Sequence, residues 1–210
     1  KSYISDISNK DIAILKNKKI YSSKKIKLIS KVDYIIICLP TPLKKNKPDM
    51  SHIEKSFKTF LPYLREGQTI ILESSVYPGA TKKIFFKILS NRFKLGKNFF
   101  LTHSPERIDP GKSLGWKKTK LEKIPKLISG FSPNCLKKIK NFYSKVFEKL
   151  HECENLEIAE FSKLFENTYR SVNISLVNEI KMFASKMKIN FHNVIEAAST
   201  KPFGFKKFIP

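Results

Sequence analysis

Four short, uniformly apolar runs separated by stretches of helical character constrain this chain more than any other feature. The runs are VDYIIICLP (32–40), QTIILES (68–74), FFLTHS (99–104) and KLISG (126–130). Runs this short and this apolar fit strands buried on both faces of a parallel sheet. Helical patterns lie between them at 51–65, opening on Ser51 and Glu54 as a capping box, at 79–90, and at 133–148, opening on Ser132 and Pro133. Strand and helix alternating in this rhythm predict an α/β fold with a doubly wound, mostly parallel, Rossmann-like sheet.

The pattern changes near residue 157. Ile158, Phe161, Phe165, Tyr169, Val172, Leu176, Ile180, Phe183 and Met187 recur at steps of three and four, a 3.6-residue period that predicts one helix of about 30 residues. At 1.5 Å per residue it is roughly 45 Å long and opens a second, helical region. Residues 1–152 are therefore expected to form one domain and 153–210 part of another. A shorter helix is expected over 191–199, capped by Asn190. The chain starts at Lys1 and stops at Pro210, directly after an aromatic-rich stretch. It reads as a piece cut at both ends.

In an open parallel sheet ligands sit at the carboxyl ends of the strands, so the residues following each run are the candidates. The first run ends in CLPTPL, where Pro40 and Pro42 stiffen the loop around Thr41. The second ends in ESSVYPGAT, two hydroxyls before a helix start at Gly79 whose free amides suit a phosphate or carboxylate. The third ends in THSPERIDPG, with Glu106 between Pro105 and a turn at Asp109-Pro110-Gly111. On the long helix Glu160, Lys163, Asn167, Arg170, Ser171 and Asn178 share one side, opposite the apolar stripe. Spacing alone fits a solvated face. Asparagine is a poor helix former, however, and an ammonium with an amide one turn away can hold a polarised oxygen in a dry cleft.

The formal charge of +23 invites a nucleic-acid reading. Against it, arginine stands only at positions 65, 92, 107 and 170 while lysine is dispersed along the chain, and readers of phosphate and bases favour clustered, bidentate arginine. The excess still attracts an anionic small molecule such as a nucleotide. No apolar run approaches the roughly 20 residues of a membrane span, so the expected location is the cytoplasm. Cys38, Cys135 and Cys153 have no CxxC spacing, which indicates neither a disulfide framework nor a metal site.

CLPTPL, ESSVYPGAT, SPERIDPGK, AEFSKLFENTYRSVNISLVNEI and TKPFGFKKFIP, in this order, resemble the UDP-glucose/GDP-mannose dehydrogenase family, nearest its branch acting on UDP-N-acetylglucosamine or UDP-N-acetylmannosamine. The resemblance runs from about residue 32 to the end of the chain. It implies an enzyme that uses two molecules of NAD to oxidise the primary alcohol of a UDP-sugar to the uronic acid, a precursor for surface polysaccharide. It implies Thr41 and Ser75 as cofactor-side residues, with serine at 75 where threonine is usual, and Glu106 as an acid/base or water-activating group that also meets the cofactor. Lys163 and Asn167 match the pair that stabilises the developing oxyanion. Substrate contacts fall on Thr102, His103, Ser104, Pro105, Arg107, Lys163, Asn167, Arg170, Phe208, Ile209 and Pro210, and the long helix is expected to form a homodimer. The resemblance places the family's Gly-rich fingerprint in a first βαβ unit that is missing here, and no such fingerprint occurs in the chain; its cysteine nucleophile is expected just beyond Pro210, so the piece alone is expected to be inactive. The β-hydroxyacid dehydrogenases are similar in layout and need no cysteine. A non-catalytic remnant and a basic nucleic-acid binder are the other readings.

Overall fold

The computed structural model of the chain describes Lys10, Ala13, Ile14 and residues 23–108 and 123–209. These residues belong to two compact units, one running to Leu164 and one from Phe165 onward. The Asp109-Pro110-Gly111 turn and Pro210 lie outside the described residues.

The first unit is built on a five-stranded sheet in the order β1-β4-β5-β6-β7: Tyr34–Ile37, Thr69–Leu72, Phe100–His103, Lys126–Gly130 and Leu150–Glu152. The pairs β1/β4, β4/β5 and β6/β7 are parallel. The β5/β6 pair is antiparallel, in the register Thr102↔Gly130 and His103↔Ser129. A small hairpin, β2 (Leu43–Lys44) and β3 (Lys47–Pro48), follows the first strand. Lys45 and Asn46 at its tip both take positive φ, the twist that two-residue hairpin turns require.

All four residues of β4 and of β5 are buried, as expected for central strands covered on both sides. One face carries α1 (Ser51–Phe60), whose Ile53, Phe57 and Phe60 pack with Phe85, Leu89, Ile70, Leu72, Phe99 and Leu101. Phe57 meets Phe85 edge to face at 4.7 Å. Burying side chains of this size contributes about 1.5–3 kcal/mol each. The opposite face carries α3 (Pro133–Tyr143), whose Ile139 and Tyr143, together with Phe147 after the helix, pack on Ile71 and Ile128. At Gly130 an added Cβ would lie 2.3 Å from the Leu136 amide nitrogen, so the close seat of α3 on β6 needs glycine there.

Several local expectations are revised. β1 is open on one side: Ile35 and Ile37 are buried but Ile36 is 43 % exposed, because on that face Tyr34 stacks on Phe142 and no described element covers its neighbour. Ser51 does not form a capping box. Asp49 Oδ1 accepts the Ser51 amide hydrogen at 2.9 Å and supplies the cap instead. The segment after Gly79 is a π-helical stretch, Lys82–Phe86, running into α2, Lys87–Ser90. Ser132 caps α3 as expected, accepting from the Cys135 amide.

The long helix, α4, spans Leu156–Lys186. In the second unit it ends where Lys188 adopts φ 56°, the left-handed residue that commonly closes a helix. Asn190 then caps α5 (Phe191–Ala198) by accepting from the His192 amide, and Ala184, Phe191, Ile195 and Val177 form a small core. Among the described residues no helix is long and apolar enough to cross a membrane, and no group of His, Cys, Asp and Glu is placed to hold a metal ion.

Candidate active site

The carboxyl ends of β1 and β4 are laced together by hydroxyls. Ser74 Oγ donates to the Leu39 carbonyl at 2.7 Å and accepts from the Leu39 amide at 2.8 Å. Thr41 Oγ1 donates to the Ser75 carbonyl at 2.7 Å, so the two residues expected on the cofactor side stand side by side. Ser75 itself is exposed. Ser74, adjacent in sequence and equally a serine, is the hydroxyl that holds the two loops in place.

A buried charge cluster adjoins this rim. The Lys126 side chain is 2 % exposed, and its Nζ donates to Glu106 Oε2 at 2.9 Å and lies 3.0 Å from Glu73 Oε1. Because β6 runs antiparallel to β5, its first residue arrives at the edge where the loop after β5 begins. Glu73, directly after β4, also accepts from the Tyr143 hydroxyl and, at 3.4 Å, from the Cys38 thiol. Glu106 Oε1 accepts the amides of Arg107 (2.7 Å) and Ile108 (2.8 Å). Burial works against the Glu106 charge, but the hydrogen bond and attraction from Lys126 and the two amides outweigh it and hold the carboxyl below its ordinary range. Burial, with the Glu73 carboxylate beside it, pushes the Cys38 thiol up to about 11. The same two causes push the Tyr143 phenol far up, so it stays a neutral donor.

Lys126, Glu73 and Tyr143 were not singled out by the sequence reading. The position of Lys126 at the start of an apolar run was a signal, since a lysine there needs a partner once the strand is buried.

The segment 102–105 sits deeper than its expected role at the substrate implies. Thr102, His103, Ser104 and Pro105 are all buried. Thr102 Oγ1 donates to the Ile70 carbonyl at 2.9 Å and Ser104 Oγ to the Leu127 carbonyl at 2.6 Å. Among the described residues neither ring nitrogen of His103 has a hydrogen-bond partner. Burial foremost, then the Lys126 charge, lowers its pKa to about 3, the nearby Leu72 carbonyl counting weakly the other way without hydrogen-bond geometry. In this arrangement the segment supplies the rigid backing from which Glu106 reaches the rim. Arg107 is half-buried, with Nη1 donating to the Pro125 carbonyl at 2.8 Å.

The amides at Gly79 are not free. Glu160, on the first turns of α4 and 1 % exposed, accepts from the Gly79 amide through Oε2 and from the Thr81 amide at 2.8 Å through Oε1. The chain's own carboxylate thus takes the anion position that the sequence offered to a ligand. Glu160 is therefore a structural anchor rather than part of a solvated face, and Lys163, half-buried, follows it by three residues. In the second unit Asn167 Oδ1 accepts from Arg170 Nη2 at 3.0 Å. Phe208 is buried and meets Tyr169 at 6.0 Å between ring centroids, while Ile209 is exposed.

Comparison with known proteins accounts for this arrangement. Residues 6–147 match the UDP-glucose/GDP-mannose dehydrogenase family, NAD binding domain, and residues 157–210 match that family's central domain. Protein CapL of Staphylococcus aureus is 36 % identical over 200 residues, covering 93 % of this chain and 46 % of CapL. A UDP-N-acetyl-D-glucosamine 6-dehydrogenase of Pseudomonas aeruginosa is 32 % identical over 186 residues, 87 % of this chain and 43 % of that protein. Among solved structures, a UDP-D-ManNAc dehydrogenase from Pyrococcus horikoshii superposes with a TM-score of 0.84 at 28 % identity, covering 96 % of this chain and 47 % of the other. The chain spans about half the length of the curated relatives it matches. With both domains matched in order, the chain belongs to the UDP-glucose/GDP-mannose dehydrogenase family.

Proposed function

We propose that this chain is the NAD-side part of a dehydrogenase that oxidises the 6-hydroxymethyl group of a UDP-sugar, most nearly a UDP-N-acetylhexosamine, to the uronic acid. The product would serve as a precursor for surface polysaccharide, made in the cytoplasm where nucleotide sugars and NAD are found. The observation that carries the reading is Glu106, bonded to the buried Lys126, at the carboxyl edge of a Rossmann-like sheet beside the Thr41–Ser75 rim.

The rim fits a nicotinamide nucleotide: Thr41 spends its hydroxyl on the loop, and the Ser75 hydroxyl is exposed and has no partner among the described residues. NAD, when bound, supplies the hydride acceptor. The chain's residues supply the rest. A base and a cation beside the alcohol oxygen favour loss of its proton, which is what hydride departure requires. Glu106 takes the role of base or water-activating group. Lys163 and Asn167, in the roles the family resemblance implies, hold the oxygen as charge develops on it. Arg170 occupies the Asn167 oxygen, so the amide nitrogen is the part of Asn167 left to donate. By the family resemblance, Thr102, His103, Ser104, Pro105, Arg107, Arg170, Phe208, Ile209 and Pro210 would meet the nucleotide sugar.

A covalent second oxidation needs a thiolate. Cys135 and Cys153 are buried, and the Cys38 thiol is bonded to Glu73 and pushed up to about 11. None of the three suits that task, and this chain alone should not complete the reaction. A nucleic-acid role is disfavoured because each of the four arginines is engaged within the chain: Arg65 on the Ser30 and Val32 carbonyls, Arg92 on Leu61 and Leu64, Arg107 on Pro125 and Arg170 on Asn167. The exposed stripe of α4, from Phe165 to Phe183, would be covered by a second copy of the chain.

The test is NADH formation by the complete gene product with UDP-N-acetylglucosamine, UDP-N-acetylmannosamine and UDP-glucose. Lys163→Ala should lower turnover by about 10²–10³-fold and leave NAD affinity unchanged. Unaltered turnover would remove the lysine from the mechanism, and no NADH from any UDP-sugar would sink the assignment.

A further inference from the structure

Glu106 is held by a cation that the proposed chemistry has not used. Lys126 Nζ is buried against the rings of Tyr143 and Phe147, at 5.3 and 5.4 Å from their centroids, and touches two carboxylates, Glu73 and Glu106. An ammonium taken this far out of water is stable only with close counter-charges. The Glu73 side chain is 14 % exposed and further pinned by Tyr143 and Cys38, whereas the Glu106 side chain is 42 % exposed. Lys126 is thus fixed from the Glu73 side, and Glu106 is the partner that faces outward.

Glu106 Oε1 accepts two backbone amides, and Oε2 accepts one bond from Lys126. A carboxylate has about four lone-pair positions, so against the described residues one remains, on Oε2. We propose that Lys126 is a positioning residue for Glu106: anchored on Glu73, its buried ammonium fixes the carboxylate at the rim, keeps it ionised, and leaves a single Oε2 lone pair to meet water or substrate. The catalytic part of this inference rests on the dehydrogenase reading above. The groups facing Glu106 are Lys126 from β6, the amides of Arg107 and Ile108 from its own loop, and, further off, Glu73 after β4, Cys38 after β1 and Tyr143 from α3. Among the described residues Lys126 is the cation bonded directly to its carboxylate.

The test measures Glu106 directly. Carbon-detected NMR of the side-chain carboxyl in this chain, titrated from neutral to acid pH, reports its midpoint without substrate or cofactor. Lys126→Met should raise that midpoint by about one pH unit or more, and Lys126→Arg should bring it back toward wild type. If Lys126→Met loses its circular dichroism spectrum, Glu73→Gln/Lys126→Met removes the buried charge with its anchor and should show the same rise. In the complete gene product the acid limb of NADH formation should move to higher pH by the same interval, a change that loss of packing alone would not produce. An unmoved Glu106 midpoint in a folded variant overturns the inference. A moved midpoint in a protein that oxidises no UDP-sugar leaves the positioning role standing and fells the dehydrogenase reading instead.

Discussion

His103 gives this domain a specific sensitivity to acid. It lies in β5 with no exposure and, among the described residues, no partner on either nitrogen. In the unfolded chain it takes up a proton near 6.5, whereas in the folded one burial and Lys126 delay uptake until about 3. Between those values the unfolded state binds more protons, so stability is full above the unfolded pKa and falls as pH is lowered. The slope is about 1.4 kcal/mol per pH unit, and moving from pH 6.5 to pH 5 should remove about 2 kcal/mol. For a domain of this size that is a drop in Tm of about 4–8 °C. Urea unfolding followed by far-ultraviolet circular dichroism at pH 7 and pH 5, on wild type and His103→Leu, isolates the effect, since carboxylates common to both chains cancel in the difference. Leucine removes two unpaired buried nitrogens and should be neutral or slightly stabilising at pH 7. Wild type should lose about 2 kcal/mol more than the variant at pH 5. Equal losses in the two chains would mean that the imidazole charges inside the fold, and the argument from its burial would fail.

Two further outcomes follow from the contacts of α4. Glu160→Gln has one acceptor for two amides, so either Gly79 or Thr81 loses its partner, at about 1–3 kcal/mol. Faster hydrogen exchange at these two amides should accompany the loss, and unchanged protection at both would contradict the anchoring role. Sedimentation should show wild type as a dimer and Leu176→Asp/Phe183→Asp as a folded monomer, because both side chains are exposed on the apolar stripe. A monomeric wild type would leave that stripe without the proposed second copy.

Much of the architecture was legible because it is encoded within a few residues. Apolar runs of strand length located β1, β4, β5 and β6, the 3.6-residue period located α4, and Ser132 and Asn190 cap their helices through amides three and two residues away. Strand β7 and the β2/β3 hairpin escaped notice. β7 is three residues long, LHE, at the edge of the sheet, and the hairpin strands have two exposed residues each. Neither buries enough apolar surface to leave a pattern.

By itself the sequence determined the fold class, the long helix, the family motifs and the candidate status of Glu106 and Lys163. Only the tertiary structure decided what those groups touch. Glu160 reaches amides 81 and 79 positions earlier in the chain, Lys126 meets a carboxylate 20 positions earlier, and Tyr143 one 70 positions earlier. Periodicity and capping report neighbours within one turn of helix or one step of strand. Partners across the sheet depend on strand order and direction, and it is the antiparallel entry of β6 that brings a buried lysine to the edge where Glu106 emerges.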